Sequence, residues 1–278
     1  MTSRLSTPAL GVASCTDIGT FFTTLKTSNT TYMSGPSSNI RQTFLTQGRL
    51  ANYADTNYRR IQDSQPGFGF AKDFGSVSGS TNGTALFAVG HYRDPGVSFT
   101  ATNSSQPDRS LYFMSEHPSL ESSLSFFYND YAEALRLSNA FDAKVQSEAT
   151  AAVSEHYASI CAIAARQIYS GLEITVGKDS TGAYNTSDVM VFVKEIATSN
   201  YVNTIDVINP AFPFFAYSNP DMIEYSILPV IQYAELNFPK SILSAPHDIG
   251  SAYPIADGAH QVDAPYYIEG ELDRSERV

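Results

Sequence analysis

Tryptophan is absent, cysteine occurs only twice, and 17 basic residues face 28 acidic ones in a chain of 278 residues. The acidic balance, a net charge of −11, leaves no basic footprint with which to neutralise phosphates, so nucleic acid is excluded as a partner. Anionic membrane surfaces are disfavoured for the same reason. Two cysteines, Cys15 and Cys161, cannot build a disulfide scaffold; one bridge is arithmetically open, and free buried thiols are the expected state. No apolar run reaches 18 residues, so no membrane-spanning helix is expected. The opening MTSRLSTPALGVASC lacks a continuous apolar segment, so no secretion signal is visible there.

What is present describes a packed chain. Hydrophobic residues make up 42% and aromatics 12%, enough to bury a sizeable core and to exclude general disorder. Only 16% of residues are charged, and Ser, Thr and Asn fill much of the remaining polar surface. Four glycosylation sequons begin at Asn29, Asn82, Asn103 and Asn185. Together these features fit an extracellular or cell-wall protein; chance occurrence in a Ser/Thr-rich chain accounts for the sequons equally well. A secreted-looking body without a secretion signal leads us to expect further sequence upstream.

The two halves differ in pattern. From residue 1 to about 120, Gly, Ser, Thr, Asn and Pro punctuate short apolar runs. Phe68–Phe74, Thr84–Tyr92 and Gly96–Thr102 have the pattern of strands, with turn material at Ser76–Thr84, which is the grammar of an antiparallel sandwich. Glu121–Leu137 is helix-compatible. Val153, Tyr157, Ile160, Cys161, Ala164 and Ile168 then form one apolar stripe at helical spacing. Asn219 and Pro220 mark another helix start, with a stripe of Ile223, Ile227, Ile231 and Ala234 and an internal Pro229 expected to kink it. The fold class expected is α+β in two domains, a β-sandwich over 1–140 and a helical domain over 141–278.

The stretch Val191–Leu228 (VFVKEIATSNYVNTIDVINPAFPFFAYSNPDMIEYSIL) combines Lys-Glu-Ile, an Asn-Thr-x-Asp-Val-Ile run, an aromatic-proline cluster and an Asn-Pro helix start. With Pro246–Pro254 (PHDIGSAYP), Asp55–Phe74 and Leu124–Tyr131, it resembles the fungal glutaminase A family over most of residues 40–265. The resemblance implies a β-sandwich followed by a six-hairpin (α/α)6 barrel, and hydrolysis of L-glutamine to glutamate and ammonia. It implies glutamine as the small-molecule partner and calls for no cofactor. The last nine residues, GELDRSERV, follow no family pattern. A twelve-helix barrel needs roughly 200 residues or more; residues 141–278 offer three or four helices. An incomplete, inactive helical domain is therefore expected.

The chemistry expected centres on His247, Asp248, Asp263 and Glu269, with His260 nearby. Amide hydrolysis needs a nucleophile, a proton donor for ammonia and oxyanion stabilisation. A His beside carboxylates on a Gly/Pro-rich loop suits a general base; equally, His247 and Asp248 can hold a loop through side-chain-to-backbone bonds. Family position makes Glu269 a candidate acid/base. Asp206 and Glu195 are candidates for either catalytic or buried structural roles. A Zn or Mn site from His247, Asp248, His260 and Asp263 has suitable ligand types but no tight ligand spacing, so no metal is expected. The cluster Phe212–Tyr217 suits core packing or a pocket floor. There is no Ser-x-x-Lys and no Gly-x-Ser-x-Gly, and Gly171–Lys178 is one residue too long for a phosphate loop. Two other functions stay open: a carbohydrate- or cell-wall-binding module, and a glycosidase, for which two carboxylates about 5–10 Å apart would be the mark.

Overall fold

The computed structural model describes residues 20–25, 29–79, 83, 85–101, 107–196, 199–237 and 245–258. The described residues fall into two compact units, one up to Arg93 and one from Asp94 onward. The α+β layout expected from the sequence is observed, with sheets first and helical pairs after.

In the first unit, strand β1 (Thr20–Leu25) and strand β2 (Thr30–Pro36) precede helix α1 (Ser37–Gln47), and strands β3 (Pro66–Lys72) and β4 (Phe87–Tyr92) follow. β1 pairs antiparallel with β4, and β2 with β3. Gly69 lets α1 approach its sheet: a Cβ there would sit 3.2 Å from Ile40 Cγ2 and 3.4 Å from Leu50 Cδ1. Gly48, at φ 66°, takes the left-handed conformation that ends α1.

The second unit begins with strands β5 (Val97–Phe99) and β6 (Asp108–Leu111). Helices α2 (Leu120–Asn129), α3 (Tyr131–Ala152) and α4 (Glu155–Ser170) follow. The segment expected as one helix over Glu121–Leu137 is thus two, divided at Asp130. Ser119 opens α2 with a capping box, accepting from Ser122 N at 3.1 Å. Ser154 caps α4, accepting from Tyr157 N at 3.2 Å. Val153 leaves the expected stripe: it lies between α3 and α4 and is exposed.

A long hairpin then interrupts the helices, strand β7 (Leu172–Lys178) and strand β8 (Tyr184–Val193). The helical reading of the second half did not contain it. Its physical reason lies in β8, where Met190 and Phe192 join one core cluster and Val191 joins another with Val193. A strand buried on both faces loses its polar alternation and shows only a continuous apolar run. Helices α5 (Ile205–Ile208), α6 (Phe212–Ser218) and α7 (Asp221–Asn237) and the short strand β9 (Ile255–Ala256) complete the unit. The sheet order is β8-β7-β6-β5-β9, antiparallel except for the parallel β5–β9 pair. Among the described residues no helix is long and apolar enough to cross a membrane.

Two polar clips tie this sheet together. Buried Arg109 of β6 donates to Thr175 Oγ1 on β7 at 3.0 Å, and to Asp188 on β8 through Oδ1 at 3.0 Å and the carbonyl at 2.7 Å. Asn203, fully buried at φ 51°, is the second. Its Oδ1 accepts from Val193 N at 2.9 Å, and its Nδ2 donates to Val191 O at 3.1 Å and Ser226 O at 2.9 Å. One side-chain amide therefore joins β8, α7 and the connection between them.

The Asn219 side chain caps α7, accepting from Asp221 N at 3.3 Å. The buried face of α7 differs from the expected Ile stripe: Met222, Ser226, Pro229, Val230 and Tyr233 are buried, while Ile231 is exposed. Ser226 explains the offset. Its hydroxyl donates to Ile223 O and its carbonyl receives Asn203, so a polar residue occupies the centre of the buried face and breaks its hydrophobic signature. Pro229 lies inside α7, where it removes one backbone donor.

Replacing Asn203 by Ala takes a hydrogen-bond partner from Val193 N, Val191 O and Ser226 O and should cost about 3–5 kcal/mol. Urea unfolding of the chain measures it, with exposed Asn209→Ala as a control expected within about 0.5 kcal/mol of the parent. Equal midpoints for the two variants would remove the clamp from the account.

Candidate functional site

The connection after β8 and the segment 247–253 run side by side, and this pairing builds the site. Val202 N donates to Gly250 O at 2.8 Å, and Ile249 N to Val202 O at 2.9 Å. Tyr253 N donates to Asn200 O at 2.7 Å, and Ile205 N to His247 O at 2.9 Å. Hydrophobic anchors fix the second segment: Ile249, Tyr253 and Ala256 join the core cluster that contains Val97, Phe192 and Val230. Gly250 is required by close approach, since a Cβ would meet Ile255 O at 2.6 Å and Ala256 Cα at 3.0 Å.

On this platform His247 Nδ1 lies 2.9 Å from Asp248 Oδ2. Asp248 is fully buried, and its Oδ1 accepts from Gly250 N at 3.0 Å. Each carboxylate oxygen is thus engaged, one by the ring and one by the backbone. A carboxylate accepting from Nδ1–H selects the tautomer whose acceptor lone pair is on Nε2. The His247 side chain is 18% exposed, so the ring reaches solvent while its orienting partner does not. Tyr201 packs edge-on against the ring, centroid to centroid 5.8 Å at 83°. The expected general base and the expected loop-holding bond are therefore the same pair of residues.

The remaining candidates separate. Asp206 is exposed in the first turn of α5, which rules out the buried structural role. The chain turns into a helix at Thr204, where Val207 and Ile208 both donate to its carbonyl, and this turns Asp206 outward. Glu195 is half-buried; its backbone N donates to Tyr201 O at 3.0 Å. His260, Asp263 and Glu269 lie outside the described residues, as does Cys15. Cys161 is a free, half-buried thiol. Among the described residues no three His, Cys, Asp or Glu side chains converge as metal ligands.

The sequence reading missed three residues. Tyr201 reaches the His247 ring, and Thr204 the backbone platform that carries it, only through the pairing of segments some 45 positions apart. Asn203 stood inside the Asn-Thr-x-Asp run, where attention went to the aspartate. Thr204 Oγ1 is buried and has no hydrogen-bond partner among the described residues, an orphaned hydroxyl on the platform that carries His247.

Gly250→Ala should destabilise the chain by about 1–3 kcal/mol because backbone, not a side-chain tip, must give way. Gly79→Ala, where nothing lies within 4 Å, should be neutral or slightly stabilising. Thermal unfolding separates the two, and an unchanged Gly250→Ala melting temperature would refute the close packing of this loop.

The family model described as "Domain of unknown function (DUF5127)" matches residues 11–148. That described as "Glutaminase A six helical-hairpin domain" matches residues 154–270. Glutaminase A of Aspergillus oryzae is 32% identical over 228 residues, covering 82% of this chain and 31% of that protein. A probable glutaminase of Arthroderma benhamiae is 30% identical over 241 residues, covering 82% of this chain and 26% of that protein. The chain thus spans under a third of the length of these relatives. No solved structure matches it.

Proposed function

We infer that this chain, which belongs to the glutaminase A family, contributes a proton-transfer group to the hydrolysis of L-glutamine. The observation that carries the reading is the His247–Asp248 pair, 2.9 Å apart, with the carboxylate buried and anchored to Gly250 N. Asp248 holds the ring with Nε2 directed to the reacting atoms. Nε2 takes a proton from the attacking water as its oxygen bonds to the side-chain amide carbon. The same proton is then given to the departing nitrogen, the C–N bond breaks, and glutamate and ammonia result. The resemblance adds Glu269 as a second acid/base, and the exposed carboxylate of Asp206 stays a further catalytic candidate.

The reaction belongs to the whole protein, of which these residues form one wall. Its surroundings are extracellular: the sequon asparagines Asn29 and Asn185 are both solvent-exposed, as glycan attachment requires.

In a longer family protein containing these residues, His247→Ala should lower kcat by about 100-fold or more, while the 278-residue chain alone should release no measurable ammonia from glutamine. Full turnover by the His247→Ala enzyme would end the general-base reading. Turnover by the short chain would show instead that the site is complete within it. Expressed in a secreting fungal host, the protein should lose mass on treatment with an endoglycosidase; an unchanged mass would count against the extracellular assignment.

A further inference from the structure

Away from His247, the aromatic-proline segment does more than pack. Phe215 is buried in the core, but Pro213, Phe214 and Tyr217 turn toward α3 and α4 and wall a cleft of ≈ 470 Å³. Its other walls are apolar, among them Val145, Ala149, Ile160 and Ala164. Beyond Ala164, Ile168 and Pro210, which both share, lies a second cleft of ≈ 500 Å³ floored by Leu172, Val193 and Phe215. Cavities of this size, apolar with few convergent polar groups, are the form that small-molecule sites take.

Besides Tyr157 and Cys161 of α4, the first cleft is lined by two polar side chains that bond each other, Glu148 and Tyr217. The Tyr217 hydroxyl donates to Glu148 Oε2 at 2.7 Å, bridging α6 to α3. Lys144, one turn before Glu148 on α3, places its Nζ 4.9 Å from the centroid of the Tyr217 ring. An ammonium group thus already occupies the face of an aromatic ring whose hydroxyl is bonded to a carboxylate, in a chain of net charge −11. The Glu148 bond, then burial, then the Glu148 and Cys161 charges push the Tyr217 hydroxyl up to about 12. It therefore remains a donor throughout the neutral range.

We propose that this trough binds a primary alkylammonium compound, its cation on Glu148 and the Tyr217 ring in place of Lys144 and its hydrocarbon chain along the apolar cleft. Charge complementarity selects the head group, and the continuity of the two clefts gives room for a tail.

Titration of the 278-residue chain with n-hexylamine, n-hexanol and n-octylamine, followed by calorimetry, tests the assignment. Hexylammonium should bind saturably and about tenfold more tightly than hexanol, and affinity should rise by up to about fourfold for each methylene buried. Glu148→Gln, a change at an exposed position that should leave the melting temperature unaltered, should abolish the preference for the amine over the alcohol. Lys144→Ala should strengthen amine binding severalfold. In a Cys15→Ser background, bound amine should slow alkylation of Cys161, which lines the same cleft. Equal affinity for hexanol, undiminished preference in Glu148→Gln, or unprotected Cys161 would each overturn the proposal. So would self-association of the chain that the amine dissociates, because the trough would then belong to a second copy.

Discussion

A single buried amide fixes how the second unit is put together. Asn203 stands at positive φ with no solvent exposure and bonds to two residues of β8 and one of α7. Removing a polar side chain from water is unfavourable unless its donors and acceptors are satisfied, and here Oδ1 and Nδ2 both bond to backbone atoms. Its own backbone N donates to Val193 O at 2.8 Å, so residue 203 continues the edge of the sheet before the chain departs into α5. Hydrophobic burial supplies most of the driving force for this core. The amide supplies what burial lacks, a direction and a register.

Register matters because the neighbouring residue pairs carry the site. Val202 exchanges hydrogen bonds with Gly250 and Ile249, and Ile205 N is held by His247 O. His247 is therefore positioned by backbone bonds traceable to Asn203, and oriented by a buried carboxylate that is itself tied to Gly250 N. A ring set on such a platform has a fixed orientation, the kind of support from neighbouring bonds that the proposed general base would need. The aromatic turn 212–217 stands apart from that arrangement. It buries Phe215 on one side and presents Phe214 and Tyr217 to a cleft on the other.

The parts of the fold that were legible in the sequence are those with one buried face or a marked end. β4 falls within the expected Thr84–Tyr92 and β3 overlaps the expected Phe68–Phe74, α4 forms where the stripe predicted a helix although Tyr157 and Ile160 of that stripe are exposed, and Asn219 caps α7 as its position before Pro220 suggested. The parts that were not legible have physical reasons. α1 has no buried residue, so it imposes little periodicity on its sequence. β8 is apolar on both faces, and α7 buries a serine where a hydrophobic residue would have marked the face. Of the site, His247 and Asp248 were visible because they are adjacent. The Tyr201 contact and the place of Thr204 on the same platform were not, because those depend on pairing between distant segments. The exposure of Asp206 was not legible because the turn into α5 follows from backbone bonding at Thr204, which composition does not display.

The most direct test of this account is amide hydrogen exchange in the parent chain and in Asn203→Ala, read at Val193, Val202, Ile249 and Gly250. Val193 N bonds to the Asn203 side chain itself; the other three belong to the paired segments that hold His247. The account predicts that protection falls at all four together, the loop at 249–250 loosening with β8. Loss of protection at Val193 alone, with Ile249 and Gly250 unchanged, would contradict it by showing that the His247 platform stands without the Asn203 clamp.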